Sequence, residues 1–549
     1  MLTNYLKIAV RTALRNKTFS FVNLFGLAIG LAAAMATLLF LRKELSFDTF
    51  HRNYQNIYQV CLNATFDGKN YEKWSQAPNK MGPYLKDNLP EVKQATRVLH
   101  HNFGDVAFVS HGEKHLTEKK LYFADASILE IFDFRFKVGD PKTALNRPKT
   151  AIVRHSTAQK YFGNQSPIGK TLKIDNSFEL EITGVFDDFS GDTHLDYDIL
   201  GSFASVEWAS RPDNQSWSNA SFETFLLLAP NTDGTKLSAK IEQTIAKASP
   251  RKERFYDVYL RPLSDVHLYS ADFTNKIAAP YGSFQQTNIL IGLAVALLLI
   301  AAINYMNLST ARLQRSFREV GISKTLGASF SQMVGRFYSE TFLYVTVSLL
   351  SSILLIVLLL PFLNQLTEET LRLGFLKEAW FWMILLSVWL VVGLLAGAYP
   401  SLLFSRFSPK SILQGNRQSK SGSAAFRKSL VVFQFAASVV LIVTVIVFQL
   451  QIKYLRTKNP GFQAEHVVAV MTTNLQKKEQ FDALENGART LASVKQAAFV
   501  QSFPGIGTSL RNLSNPKNEK ESVGLYTART RPEIIEAMGL KLLAGKTIP

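Results

Sequence analysis

Charge-free apolar runs divide the chain, and the polar stretches between them alternate in character. Residues 18–41, 284–304, 341–360, 380–405 and 430–450 lack Asp, Glu, Lys and Arg. Each is long enough to cross about 30 Å of hydrocarbon as a helix. Basic residues gather beside alternate ends of these runs. Lys7, Arg11, Arg15 and Lys17 precede the first; Arg312, Arg315, Arg318, Lys324 and Arg336 fill 305–340 against Glu319 and Glu340; Arg406, Lys410, Arg417, Lys420, Arg427 and Lys428 fill 406–429 without an acid. Short basic loops stay on the inner side of a membrane. The pattern predicts an α-helical membrane protein with five transmembrane helices, N-terminus inside, and a mixed α+β periplasmic domain over 42–283. Residues 361–379 form an outer loop, 406–429 a cytoplasmic linker, and 453–549 the start of a second outer domain.

Finer periodicities fill in the pieces. In residues 1–17 Leu2, Tyr5, Leu6, Ala9 and Ala13 share one helical face and the basic residues take the other, which predicts an interfacial helix. Gly26 and Gly30 form a GxxxG spacing that permits close helix packing in lipid. Within 42–283, Leu172–Ile174, Leu180–Val185 and Phe222–Leu228 read as strands, and Ala77–Asn88 and Ser156–Phe162 as helices. Pro361 is expected to end the third span. In 305–340, Val320, Leu326 and Val334 supply an apolar stripe, and Gly321, Gly327 and Ala328 permit tight turns, so the stretch reads as a short helix on the inner membrane face.

Charge and cysteine content narrow the function classes. The net charge of +18 would suit a nucleic-acid binder, but most of the excess sits beside the apolar runs, where it sets topology. No nucleic-acid partner is expected, and membrane lipid is. The lone Cys61 excludes an internal disulfide framework. The spans carry no ionisable group of the kind that ion-coupled carriers use at mid-membrane. Asn304 and Asn307 are their main polar exceptions, expected to bond neighbouring helices.

Candidate chemistry is sparse. Gly163-Asn-Gln-Ser-Pro-Ile-Gly169-Lys170-Thr171 imitates a phosphate-binding loop, but its spacing is off by one residue and it runs from helix to strand, the reverse of the required order. His100, His101, His111 and His115 read as solvated loop histidines in preference to a zinc site. Asp187, Asp188, Asp192, Asp196 and Asp198 read as a solvated acidic loop. No catalytic residue, metal or cofactor is expected. A periplasmic enzyme would need a nucleophile or metal cluster that is not found, and a membrane-anchored sensor or scaffold would need a cytoplasmic signalling partner.

An internal repeat is also visible. Ser127 to Gly139 aligns without gaps on Glu533 to Gly545, and Arg15 and Phe21 align on Arg427 and Phe433. The pattern of basic helix, span and outer domain restarts. A full second unit would bring the chain near eight spans, so the stretch up to Pro549 is expected to be part of a longer, C-terminally truncated form.

Several segments resemble the MacB-type, FtsX-like ABC transporter permease family, in the duplicated form common in Bacteroidetes-type bacteria. They are LKIAVRTALRNKTFSFVNLFGLAIGLA, ELSFDTFHRNYQNIYQV, KYFGNQSPIGKTL, RPLSDVHLYS, AAINYMNLSTARLQRSFREVGISKTLGAS, GLLAGAYPSLLFSRFSPKSILQG and RKSLVVFQFAASVVLIVTVIVFQLQIKYL. The resemblance implies an inner-membrane permease subunit, not itself an enzyme, whose ATP is bound by a separate ABC ATPase. It implies that Arg318, Glu319, Gly321, Lys324, Gly327, Ala328 and Ser329 form the loop that docks on that ATPase, with Ser323 standing where the family usually has a basic residue. It further implies efflux of antibiotic, peptide or lipoprotein-type substrates or mechanotransmission to the envelope, a homodimer or pseudo-dimer of permease units, and a periplasmic adaptor or outer-membrane partner.

Overall fold

The computed structural model describes residues 2–546 apart from 66–70, 105, 190, 212–214, 250–253, 276–280, 314–321, 324, 368–372, 406–420, 460, 464, 473–474, 476, 502–508 and 516–517. Two helices, α1 (Leu2–Arg15) and α2 (Lys17–Leu45), lead into a mixed domain with α3 (Met81–Asn88), α4 (Ile128–Ile131), α5 (His155–Phe162), α6 (Gly234–Ala248) and α7 (Leu263–Leu268). Four long helices follow: α8 (Phe284–Leu313), α9 (Phe330–Thr367), α10 (Ala379–Ser405) and α11 (Ser421–Thr457). The last stretch carries α12 (Lys478–Arg489) and α13 (Ile534–Ala537). The chain divides into two compact units, Met1–Arg42 with Gln285–Lys458, and Lys43–Phe284 with Asn459–Pro549.

In the helical unit, five helices are long and apolar enough to cross a membrane. Lipid tails give apolar helices no reason to associate, so contact depends on small residues and hydrogen bonds. The GxxxG face of α2 meets this need within the chain: a Cβ on Gly30 would lie 2.8 Å from the Ala301 Cβ of α8, and one on Gly26 3.1 Å from Asn304 Nδ2. Leu27, Leu31 and Met35 of α2 then pack with Ala301 and Tyr305 of α8, Tyr344 and Val345 of α9, and Phe381, Val388 and Val392 of α10. The Tyr344 hydroxyl bonds Ser20 Oγ at 2.7 Å, and Ser348 Oγ donates to the Leu24 carbonyl at 3.2 Å. The amphipathic α1 rests on α9, with Ala9 buried and Tyr5 over Gly335, while Leu6, Ile8 and Leu14 stay exposed beside the basic residues.

Two boundaries differ from the sequence reading. Pro361 does not end its helix, because α9 continues to Thr367. A proline deletes only its own N–H and bends the preceding turn, which long membrane helices tolerate. The fifth helix starts at Ser421, inside the stretch read as a linker. The apolar stretch of α11 buries nothing against the other spans, although Asn307 Nδ2 of α8 donates to Gln434 Oε1 at 3.3 Å.

In the mixed unit a fifteen-stranded sheet is built around Ile57–Thr65, which pairs antiparallel with both Ala220–Leu228 and Tyr256–Pro262. The expected strands lie within Thr171–Ile174, Phe178–Phe186 and Ala220–Leu228. The helix expected from Ala77 starts only at Met81, because Gln76–Pro78 forms a strand against Ala220–Glu223. A residue before proline is held extended, so Ala77 favours the strand.

The repeat is structural as well as sequential. After α3, Val92-Lys-Gln-Ala95 opens a strand, a hairpin follows over Ala107–His111 and Lys114–Glu118, Val98 pairs with Ala124, and α4 closes the set. After α12 come Val494-Lys-Gln-Ala497, a hairpin over Ser509–Asn515 and Asn518–Thr527, a bridge from Val500 to Thr530, and α13. Gln94 Nε2 donates to Glu130 Oε2 at 2.5 Å, and Gln496 Nε2 to Glu536 Oε2 at 2.8 Å. The residues that open α4 and α13, Ser127 and Glu533, share φ −59° and ψ −16°.

The close α2–α8 approach sets a prediction. Gly30→Ala should destabilise the helical unit by about 1–3 kcal/mol, the usual cost of overpacking. Adding Ala301→Gly should restore the detergent melting temperature, whereas an unrestored double variant would place the strain elsewhere.

Candidate functional site

Each decoy has a structural role. The phosphate-loop imitation joins α5 to the strand Thr171–Ile174, and the Lys170 ammonium is taken by Gln165. His100 bonds the Lys119 carbonyl, His101 the Asp175 carboxylate at 2.7 Å, and His111 the Thr171 carbonyl, while His115 stacks on Phe108. Among the described residues no His, Cys, Asp or Glu group could hold a metal ion. The acidic loop is not merely solvated. Arg154, at the end of the strand Thr150–Arg154, gathers Asp188, Asp196 and Asp198, and Asp187 and Asp192 pair with Lys137 and Lys43.

The basic stretch between α8 and α9 is described at Ile322, Ser323 and Thr325–Ser329; Arg318, Glu319, Gly321 and Lys324 lie outside the described residues. A helical turn ends there in a left-handed stop. Gly327 has φ +92°, Leu326 N–H donates to the Ile322 carbonyl, and Ala328 N–H reaches back to the Ser323 carbonyl, both at 3.0 Å. This satisfies carbonyls that a frayed end would leave to water. Ser329 then starts α9 with a reciprocal cap: Gln332 N–H donates to Ser329 Oγ, and Ser329 N–H to Gln332 Oε1 at 2.9 Å. Such a pairing satisfies two orphan donors at once. Around the stop and the cap the chain offers apolar side chains, Leu326 82% exposed with Ile322 and Phe330 half exposed. The sequence pointed to Leu326 and Gly327; it did not single out Ile322, Phe330 or the Ser329–Gln332 cap, although the S-x-x-Q spacing was there to find.

The mixed domain holds a second organised region that sequence reading missed, the strap that follows α2. Asp48 takes a left-handed φ of +59° and buries its carboxylate. That carboxylate accepts from Thr193 Oγ1 at 2.5 Å and from His194 Nδ1 at 2.7 Å. Burial alone would raise the Asp48 carboxyl, but the His194 charge and these hydrogen bonds take it below the usual range. Burial alone would lower His194, and Asp48 raises it instead. Further along, His51 Nδ1 accepts the Asp133 N–H at 3.1 Å, and Arg52 binds the Asp133 carboxylate through N–H at 2.6 Å and Nε at 2.8 Å. Beside Phe50 and Arg52 lies a cleft of about 330 Å³, closed by Phe134, Arg135, Asp188 and Phe189.

Residues 20–244 match the model of the MacB-like periplasmic core domain, and residues 291–409 that of the FtsX-like permease C-terminal domain. The chain belongs to the MacB/FtsX-like ABC permease family. It is therefore a membrane protein with a MacB-like periplasmic domain between α2 and α8. This permease is 21% identical over 310 residues to the macrolide export ATP-binding/permease protein MacB of Rhodopirellula baltica, covering 51% of this chain and 43% of that one. It thus spans less than half the length of that relative. Among solved structures, a domain assigned to a permease protein of Porphyromonas gingivalis is 21% identical, covering 39% of this chain and 92% of its own, at a TM-score of 0.33. The periplasmic region of MacB from Actinobacillus actinomycetemcomitans is 13% identical, covering 38% and 89%, at 0.28.

The strap gives the periplasmic domain a pH signature. Burial pushes His51 from the ordinary imidazole value of 6.5 down to about 4. The folded state therefore excludes a proton that the unfolded chain binds below 6.5. Stability should fall as pH drops from 6.5 to 4, by about 3 kcal/mol in the limit. On the alkaline side the His194 contribution is lost as pH rises through its elevated folded pKa. In thermal melts His51→Gln, which keeps an acceptor for the Asp133 N–H, should flatten the acid limb alone; an unchanged limb would assign it to other groups.

Proposed function

We propose that this chain is the permease subunit of an inner-membrane ABC transporter and carries an ATP-driven conformational change across the membrane to its periplasmic domain. ATP is bound and hydrolysed on a separate ATPase subunit, for which the loop between α8 and α9 is the docking point. The observation that carries this reading is the turn at Leu326, an exposed apolar side chain held out just before the Gly327 stop and the Ser329 cap. An apolar tip on a rigid turn binds a partner groove with little ordering cost. Arg318, Glu319, Gly321, Lys324 and Ala328 complete the docking surface in this proposal.

The wiring is consistent with the role. The loop joins α8 to α9, and both pack on α2, so a push on the loop reaches a packed bundle. The amphipathic α1 lies on α9 close to the same loop, where its exposed apolar and basic side chains suit the inner lipid surface. Efflux of an antibiotic, peptide or lipoprotein-type molecule and purely mechanical signalling to the envelope both fit this wiring. A paired permease unit and a periplasmic adaptor or outer-membrane partner belong to the same proposal.

Co-purification with the cognate ATPase in detergent tests the reading. Leu326→Asp and Glu319→Arg should each weaken the complex while detergent melting stays unchanged, and Gly327→Trp, strained at φ +92°, should weaken it with some loss of melting temperature. For Leu326→Asp, losing burial of one leucine, worth about 1.5–3 kcal/mol, corresponds to about a 10- to 150-fold rise in Kd. Wild-type ATPase binding in all three variants would reject the loop as the docking point.

A further inference from the structure

We propose that His267 is a positioning residue that yokes the two chain crossings at the base of the periplasmic domain, so that the strap leaving α2 and the segment entering α8 move as one piece. This rests on the permease reading above. Glu44 lies in the last turn of α2, and His267 Nε2 meets its Oε2 at 2.9 Å, with the side chains 12% and 4% exposed. The Phe47 ring, on the strap, lies flat on the imidazole at 3.5 Å and 2°. From the other crossing, Gly282 N–H donates to the His267 carbonyl at 3.0 Å, and Phe284, the first residue of α8, stacks on Tyr269 at 4.8 Å.

The fit leaves no room for variation at Gly282. A Cβ there would stand 2.5 Å from Glu44 Oε2 and 2.6 Å from His267 Nε2, so only glycine lets the three segments close on one another. The imidazole is suited to the place because it is flat enough to be covered by Phe47 and still presents a nitrogen at its edge to Glu44. Behind it, α7 is rooted in the sheet: Leu263 and Val266 are in one core with Ile57 and Phe225, and Ser270 ties the Val266 carbonyl to Arg261 of the strand Tyr256–Pro262. A displacement of either crossing therefore reaches the sheet through α7.

Each crossing also has an anchor of its own. The α2 strap has the Asp48–Thr193–His194 socket. On the α8 side, Tyr281 packs against the core that holds Leu263 and Val266. Breaking the yoke should thus uncouple the two crossings from each other while each stays seated.

The test uses the full chain with its ATPase in lipid nanodiscs, comparing hydrogen exchange with no nucleotide and with ATP plus vanadate. In the wild type, trapping should change exchange in Ile57–Thr65 and Tyr256–Pro262 together. His267→Ala and Gly282→Ala should keep ATPase binding and hydrolysis, while the nucleotide-dependent change in those strands falls about fivefold or more, the lower end of a typical coupling. Glu44→Gln, which still accepts a hydrogen bond, should retain most of it. A merely structural role would lower the domain's melting point and spare the response of whatever stays folded. If His267→Ala fails to fold, Gly282→Ala and Phe47→Leu decide the matter. Folded variants with a wild-type response overturn the yoke and leave the permease reading standing; a wild-type chain without any nucleotide response overturns both.

Discussion

A charge taken out of water is tolerated only when it is paired and hydrogen-bonded, and the periplasmic domain uses that constraint to fix where the chain from the membrane enters it. Asp48 is inserted in a left-handed turn and finds its partners, Thr193 and His194, on a segment more than half the domain away in sequence. Removing either partner would strand a buried charge, so the pair is costly to break even where its net contribution to stability is small. Nonspecific apolar packing could let such a strap shift by a residue. The Asp48 socket, with His51 and Arg52 both fastened to Asp133, cannot accommodate that shift.

The same logic runs differently in the bundle. Without a hydrophobic drive between helices, register comes from close contact and from hydroxyls that find partners across helices. Gly30 against Ala301 sets the α2–α8 approach, and Ser20 with Tyr344 and Ser348 with the Leu24 carbonyl set α2 on α9. Glycines on α10 do the same for α9, where the Phe342 ring covers Gly393 and Tyr338 covers Gly397. The helices on either side of the loop that carries Gly327 are thus both indexed to α2.

How much of this was legible follows from the range of each interaction. The five spans could be read because bilayer thickness imposes a length and a composition on every one of them. The Gly327 stop and the GxxxG face could be read because a glycine signal is local. The strap could not, since Asp48 and His194 lie 146 residues apart and each alone looks like a polar loop residue. The aspartates around 187–198 looked solvated for the same reason: nothing near them in sequence reveals Arg154. His267 offered even less, being one histidine beside a leucine in a short helix. Pro361 misled in the other direction, because a local rule about proline was overridden by a helix whose surroundings favour continuation.

The repeat separates what is coded locally from what packing imposes. Gly139 has φ +96°, and a Cβ there would strike the Thr183 carbonyl at 2.5 Å, so crowding would by itself explain the glycine. Gly545 has φ +92° with nothing within 4 Å of its Cβ position among the described residues. Among the described residues, then, crowding is seen at the first site and not at the second. What the two share is the short preceding helix, opened with the same dihedrals, and a glutamine that reaches it from upstream, Gln94 to Glu130 and Gln496 to Glu536. A helix, a turn and a left-handed glycine within a dozen residues form a unit whose signals are local. Such a unit is what duplication can copy intact, and its recurrence explains why the repeat is clearest over Ser127–Gly139 and faint in the strands whose sequences answer to distant neighbours.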